Sequence, residues 1–273
     1  MSARARISLV TPSLDQAPYL ERTIASVLGQ RGDFDLEYLV VDGGSTDGTE
    51  AILRRHADRV RYRIEPDTGQ ANAINKGLRD ATGDVVGWLN SDDLLYPGAL
   101  ARVARVFQER PDVAWVHGRC EIVDERDRPI RRWLSAYKHF RCRHYSRRSL
   151  LVENYVSQMT VFWRRGLHER VGWLDETMRY SFDYEFWLRL AALGDPAYVP
   201  EPIAAFRWYP RSKSGSSFER QFREDYLAFL RHAPPDRLLR AHKRLRTAQI
   251  LGAYRLLRAA RLALGAIPGR AGA

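Results

Sequence analysis

The sequence predicts an α/β fold: a mostly parallel β-sheet flanked by helices, with a helical C-terminal extension. Three observations carry this. Over the first 120 residues, short β-branched apolar runs alternate with segments of helical period, so successive strands are joined by right-handed βαβ crossovers. Tyr38–Val41 is apolar throughout instead of alternating, as in a strand covered on both faces. From Phe218 onward the chain reads as helix, broken at Pro234-Pro235.

The elements follow in order. Ile7–Thr11 is a β-branched strand, and the segment from Pro18 to Gln30 places Leu20, Ile24, Val27 and Leu28 at helical spacing. A strand over Leu36–Val41 stops at Asp42-Gly43-Gly44-Ser45-Thr46-Asp47-Gly48. Helix 49–56, strand 60–64, helix 70–81, strand 85–89, helix 98–108 and strand 113–117 complete the series. Residues 126–148 are rich in arginine, with Trp133, Tyr137, Phe140 and Tyr145 interleaved, and read as a mobile or acceptor-facing excursion. Regularity returns with strand 160–163, a short helix at 165–171, helix 183–193 and strand 198–206. A very basic helix is expected over 238–264.

Composition narrows the class. A chain of 273 residues with 45% hydrophobic content can bury a substantial core. The formal charge of +11 points to an anionic partner, yet Asp42, Asp47, Asp67, Asp84, Asp92 and Asp93 gather in the N-terminal half. Cys120 and Cys142 stand in no CxxC pattern, which fits a reduced, cytoplasmic protein without structural zinc. Residues 1–6 enter a strand at once, with no apolar leader segment. No run approaches the ~18 apolar residues of a membrane span.

The chemistry concentrates where strands end. Gly83–Asp93 is a short apolar strand running into two adjacent carboxylates, and open α/β sheets bind ligands at that carboxyl edge. Mg²⁺ is commonly held by one or two carboxylates plus substrate phosphates, so a metal–diphosphate site is the simplest reading of Asp92 and Asp93. Asp42 ends a buried strand at the same edge, where its acceptors suit a ribose hydroxyl or a base N–H. Asp47 is read as the cap of the following helix.

These loops resemble family-2 glycosyltransferases of the glycosyltransferase-A fold. Thr11-Pro12-Ser13 resembles the family's first loop, and the stretch from Val40 to Thr49, with Asp42 and Gly43, its nucleotide-binding loop. The stretch from Glu65 to Gly77, with Asp67, Gln70, Asn72 and Asn75, resembles its third loop. Asn90-Ser91-Asp92-Asp93 resembles its acidic metal motif. The match runs in order from about residue 7 to residue 214. Asn90 stands where aspartate is frequent. Asn72 and Asn75 share one helix face and could hydrogen-bond the base or diphosphate.

The resemblance implies an inverting transfer of a sugar from a nucleotide diphosphate, a UDP-sugar foremost, to a hydroxyl on a saccharide or lipid-linked saccharide. It implies Mg²⁺ or Mn²⁺, with Asp93 on the metal and Asp92 shared between metal and donor. It also implies a separate base. In the segment Ser181 to Leu190, helical geometry puts Asp183 on the face of Phe186, Trp187 and Leu190, and Glu185 roughly 200° away toward solvent. Asp183 is therefore the expected base, in a helix first turn that favours the ionised form. The segment from Phe206 to Ser214 resembles a diphosphate-approaching loop; Arg207 and Lys213 are expected on phosphate, and Tyr209 stands where histidine is common.

The implied organisation is a catalytic domain over 1–216, with a nucleotide half to about 118 and an acceptor half beyond, then a basic extension over 217–273. Leucines at helical spacing between arginines in that extension suit an amphipathic helix on the anionic inner face of the cytoplasmic membrane, in polysaccharide or glycolipid assembly, and equally a helix packed on the catalytic domain or on another subunit. No nucleic-acid motif accompanies the charge, so no nucleic acid is expected. A nucleotidylyltransferase would also combine such a sheet with metal-binding acids, but its first loop is rich in glycine with a lysine or arginine. A non-catalytic nucleotide-sugar-binding module would need no base.

Overall fold

The structure is a computed structural model that describes residues 4–209 and 218–265, with side chains to residue 253. Eight strands form one sheet: β1 (Ala5–Ser13), β2 (Phe34–Asp42), β3 (Arg61–Ile64), β4 (Val85–Trp88), β5 (Leu94–Leu95), β6 (Trp115–Val123), β7 (Phe162–Arg164) and β8 (Ala197–Arg207). Their spatial order is β3-β2-β1-β4-β7-β6-β8-β5. The expected βαβ series appears as the parallel block β3-β2-β1-β4, with Ile7 opposite Val85 and Ser13 opposite Asp42. Helices α1 (Ala17–Leu28), α2 (Thr49–Arg55), α3 (Gln70–Asp80) and α4 (Ala99–Glu109) make the crossovers and flank the sheet.

Alternation along the strands divides the core. Ile7, Leu9, Val40 and Val85 pack beneath α1 and α4, while Val10, Leu39, Val41, Val86 and Trp88 point to the other face. On that second face Trp88 stacks on Trp187 with ring centroids 5.2 Å apart, and Trp115 and Trp163 complete the aromatic centre. Helix α3 seats close to β1 because Gly77 lacks a side chain; a Cβ there would fall 2.4 Å from Val10.

The second half departs from expectation in three places. Strand β6 runs to Val123 and meets β7 antiparallel, so it does not extend the parallel block. The two-residue β5 pairs antiparallel with β8 and carries no sequence signal of its own. The arginine-rich stretch folds into α5 (Arg132–Arg143) and α6 (Arg147–Val152). α6 starts with a reciprocal cap, in which the Ser149 N–H donates to the Ser146 hydroxyl and the Ser146 N–H donates to the Ser149 hydroxyl. After the short α7 (His168–Val171) and α8 (Phe182–Leu193) come α9 (Phe218–His232) and α10 (Arg237–Gly265). Ala228 and Phe229 of α9 and Leu239 of α10 are buried in the aromatic core, so these helices share it.

Among the described residues no helix is long and apolar enough to cross a membrane. Both cysteines are buried and free.

Candidate active site

The parallel strands deliver their loops to one edge, as the register requires. Asp42 is buried there, and its partners are its own loop: Oδ1 accepts the N–H groups of Gly44 (3.1 Å) and Ser45 (2.8 Å), and Oδ2 accepts the Ser45 hydroxyl at 2.6 Å. The Gly43 N–H donates to the Ser13 carbonyl at 2.8 Å. Thr11 and Tyr38 hydroxyls lie 3.0 Å apart, and Pro12 and Ser13 are buried beside them. Asp67 Oδ1 accepts the Gly69 N–H at 2.7 Å, and its Oδ2 would lie only 2.5 Å from a Cβ at Gly43. A side chain at Gly43 is thus excluded by the Asp67 carboxylate.

A cleft of about 950 Å³ opens next to this edge. Asn90 and Asp92 line it from the end of β4, Gln70 from the start of α3, Asp183 from the start of α8, and Trp133 and Tyr137 from α5. Residues far apart in the chain therefore meet in one space. Asp183 is half-buried, with Oδ1 accepting the Tyr184 N–H at 2.7 Å.

The two adjacent aspartates part company. Asp93 was expected at the metal, but its carboxylate is fully buried: Oδ1 accepts the Arg207 N–H (3.0 Å) and Oδ2 the Asn90 amide (3.1 Å). Asn90 in turn accepts from the Gln70 amide at 2.8 Å. Asp92 opens to the cleft, and its Oδ2 accepts the Tyr209 hydroxyl at 2.9 Å. Burial pushes both carboxyls above the usual range, Asp93 further because Asp92 lies beside it, while the Tyr209 hydroxyl and Arg207 oppose the rise at Asp92.

Arg207, expected on phosphate, is instead fully buried. Its guanidinium donates to Asp127 (Nε, 2.9 Å) and to the Asp92 carbonyl, with its carbon 5.0 Å from the Tyr19 ring centroid. It fixes the backbone that carries Asp92. Asn72 and Asn75 depart from expectation too. Their amides hold the 174–176 segment: Asn72 donates to Glu176 (2.8 Å), and Asn75 to Glu176 (2.8 Å) and the Leu174 carbonyl (3.0 Å). Lys213 lies outside the described residues.

Glu185 does not face solvent. α9 covers that side of α8, and Glu185 is buried between Arg189 (2.7 Å) and His232 (2.8 Å). Burial works to raise its pKa, but the bonds from His232 and Arg189 outweigh it and hold the carboxyl below the usual range. Two positioning groups escape a sequence reading. Asp127 sits in the turn after β6 at φ 62°, where an Asp-Glu-Arg-Asp stretch signals only a turn. Glu224 of α9 accepts the N–H groups of Arg179 (3.1 Å), Tyr180 (2.7 Å) and Ser181 (3.0 Å), anchoring the entry to α8 from 43 to 45 residues away.

Among the described residues no three His, Cys, Asp or Glu side chains converge as a ready-made metal cage. Mg²⁺ is usually held by one or two carboxylates together with substrate phosphates and waters, so a single carboxylate at Asp92 would suffice for the protein's share.

Residues 8–171 match the family described as glycosyl transferase family 2. Among curated proteins, an uncharacterised glycosyltransferase of Rickettsia typhi is 27% identical over 191 residues, covering 67% of this chain and 58% of that protein. An uncharacterised protein of Mycobacterium tuberculosis is 30% identical over 219 residues, covering 75% and 68%. The chain thus spans about three fifths of the length of the Rickettsia relative. Among solved structures, the mannosyltransferase PcManGT from Pyrobaculum calidifontis, in complex with GDP-Man and Mn²⁺, superposes with a TM-score of 0.62 at 23% identity, covering 96% of this chain and 80% of that one. S. aureus TarS 1–349 in complex with UDP-GlcNAc gives 0.62 at 18%, covering 90% and 71%. The fold is therefore that of the glycosyltransferase-A type.

Proposed function

This chain belongs to glycosyl transferase family 2, and on that premise we propose that it moves a sugar, with inversion, from a nucleotide-diphosphate donor to an acceptor hydroxyl in polysaccharide or glycolipid assembly. The observation that carries this reading is the opening of Asp92 and Asp183, from separate elements, onto one cleft at the carboxyl edge of the sheet.

Asp183 acts as the base. Its carboxylate takes the proton of the acceptor hydroxyl; that oxygen bonds to the anomeric carbon as the bond to the diphosphate breaks, and the electron pair leaves with the diphosphate. Its place in the first turn of α8 favours the ionised form. Asp92, backed by Tyr209 and by the Arg207 contact to its carbonyl, faces the diphosphate. Mg²⁺ or Mn²⁺ fits here: the donors are hard oxygens, and the Arg207 guanidinium beside the two neighbouring carboxylates is bonded to Asp127 and to the Asp92 carbonyl, not to either carboxylate. Asp92, with Asn90 beside it, is the residue to hold the ion, and Asp93 supports it from behind. When bound, the ion supplies Lewis-acid stabilisation of the leaving diphosphate. The loops of Ser13, Asp42 and Asp67 shape the nucleotide end.

A UDP-sugar is the first donor to test and a GDP-sugar the second, since TarS is solved with UDP-GlcNAc and PcManGT with GDP-Man. Contact with an anionic membrane is supported by exposed Leu238 and Leu245 on α10 and by Trp133 (67% exposed) and Phe140 (61%) on α5, all set among arginines. Catalysis belongs to the unit over 1–216, with α9 and α10 as its buttress. The test is a thermal-shift series with UDP and GDP, each with and without Mn²⁺. Stabilisation by one of them, dependent on the metal, is expected; no response to either overturns the reading.

A further inference from the structure

The floor of the cleft holds two charges that the proposed transfer chemistry does not use. Asp225 of α9 and Lys243 of α10 both line it, at 4% and 2% exposure. Among the described residues Asp225 Oδ1 has no hydrogen-bond partner. The Lys243 ammonium, with three protons to donate, makes among the described residues one long hydrogen bond, 3.4 Å to the Tyr184 hydroxyl, and rests over the Tyr184 ring at 4.9 Å and the Phe229 ring at 5.9 Å. Burial pushes Asp225 up and Lys243 down, and each charge partly offsets the other's shift. Unfilled polar groups at such depth cost the free protein stability and are relieved by a ligand that completes them.

The shape of what would complete them follows from the chemistry. An ionised carboxylate only accepts hydrogen bonds and an ammonium only donates, so the ligand must present a donor and an acceptor side by side. Two adjacent ring hydroxyls of a sugar do this, one donating to Asp225 and the other accepting from Lys243. The pair also borders the proposed base: Ser181 neighbours Asp225 and Tyr184 touches Lys243, on either side of Asp183. We propose that Asp225 and Lys243 form an acceptor subsite that grips a vicinal diol and so sets which hydroxyl reaches Asp183. This rests on the transferase reading above and names a substrate feature that the family match leaves open.

The experiment uses the full chain and saturation-transfer NMR with methyl pyranosides of glucose, galactose, mannose and N-acetylglucosamine, each with and without UDP–Mn²⁺ or GDP–Mn²⁺. At least one pyranoside should receive saturation, and its Kd should rise about tenfold or more in Asp225→Asn and in Lys243→Met, as loss of a charge-assisted hydrogen bond predicts. The matching deoxy pyranoside should bind the wild type as weakly as the parent sugar binds the variants. The unliganded Tm should hold or rise in the double variant, because an ill-matched buried pair gives way to neutral groups; a purely structural pair would instead lose stability. No saturation of any pyranoside in the wild type, or unchanged binding in both variants, overturns the subsite. The nucleotide-induced thermal shift is read in the same samples: its absence in the wild type sinks the donor reading, whereas its presence without pyranoside binding sinks the subsite alone. Should one variant fail to fold, the other carries the comparison.

Discussion

At positions 92 and 93 one side-chain type meets two environments, and the difference can be measured. Asp93→Ala removes the acceptor for the Arg207 N–H and the Asn90 amide, so it should destabilise the fold by about 1–3 kcal/mol, read as a lower urea midpoint. Asp92→Asn should leave stability intact or raise it, because a carboxyl that burial disfavours becomes neutral, and it should erase the metal-dependent part of the nucleotide thermal shift. A metal-dependent shift that survives in Asp92→Asn would return the ion to other residues. Asp183→Asn should cut transfer by about 10²–10⁴-fold, the usual worth of a general base, while the nucleotide shift stays unchanged. Near-normal turnover in that variant would remove Asp183 from the base role.

Among the elements, α8 is held at its start by a carboxylate from α9. Glu224→Gln loses the charge that attracts three backbone N–H groups, so turnover should fall while donor binding persists, with about 1.5–3 kcal/mol lost in denaturant melts. A turnover equal to the wild type would show that the entry to α8 needs no anchor. This contact and the burial of Glu185 have the same origin. α8 is covered on nearly every side, so a pattern of apolar residues on one face could not reveal which polar side chain would find a buried partner.

For the whole molecule, pH is the informative variable. His117 is buried beneath Trp115, Tyr145 and Tyr198, and among the described residues neither ring nitrogen has a hydrogen-bond partner. Burial lowers its pKa from 6.5 to about 3. The unfolded chain therefore binds a proton that the folded one refuses, and stability should drop as pH falls below 6.5, by up to about 1.4 kcal/mol per pH unit until pH 3. His117→Phe should flatten that slope in denaturant melts across the range; an unchanged slope would assign the acid limb elsewhere. Glu185 and Glu153 act lower. In both, burial would raise the pKa, but hydrogen bonds and nearby cations outweigh it and the folded value is depressed. Their stabilisation is present above the unfolded carboxyl range near 4.5 and is lost as pH falls through the lowered values.

On its own, the chain's order of apolar runs and turn residues determined that the first four strands pair in parallel, the helices between those strands, and the arrival of Ser13, Asp42, Asp67 and Asp92 at one edge. Those features are local: a period of 2 or 3.6 and a glycine or aspartate at a strand end are visible within a dozen residues. Only the tertiary structure decided which of two adjacent aspartates faces the cleft, that Arg207 is spent on Asp127, that Asn75 holds Leu174, and that α9 and α10 wall the acceptor side. Each of these depends on a partner 43 to 115 residues away. A side chain's role there is set by what the packing of distant elements leaves open, and no local period encodes that.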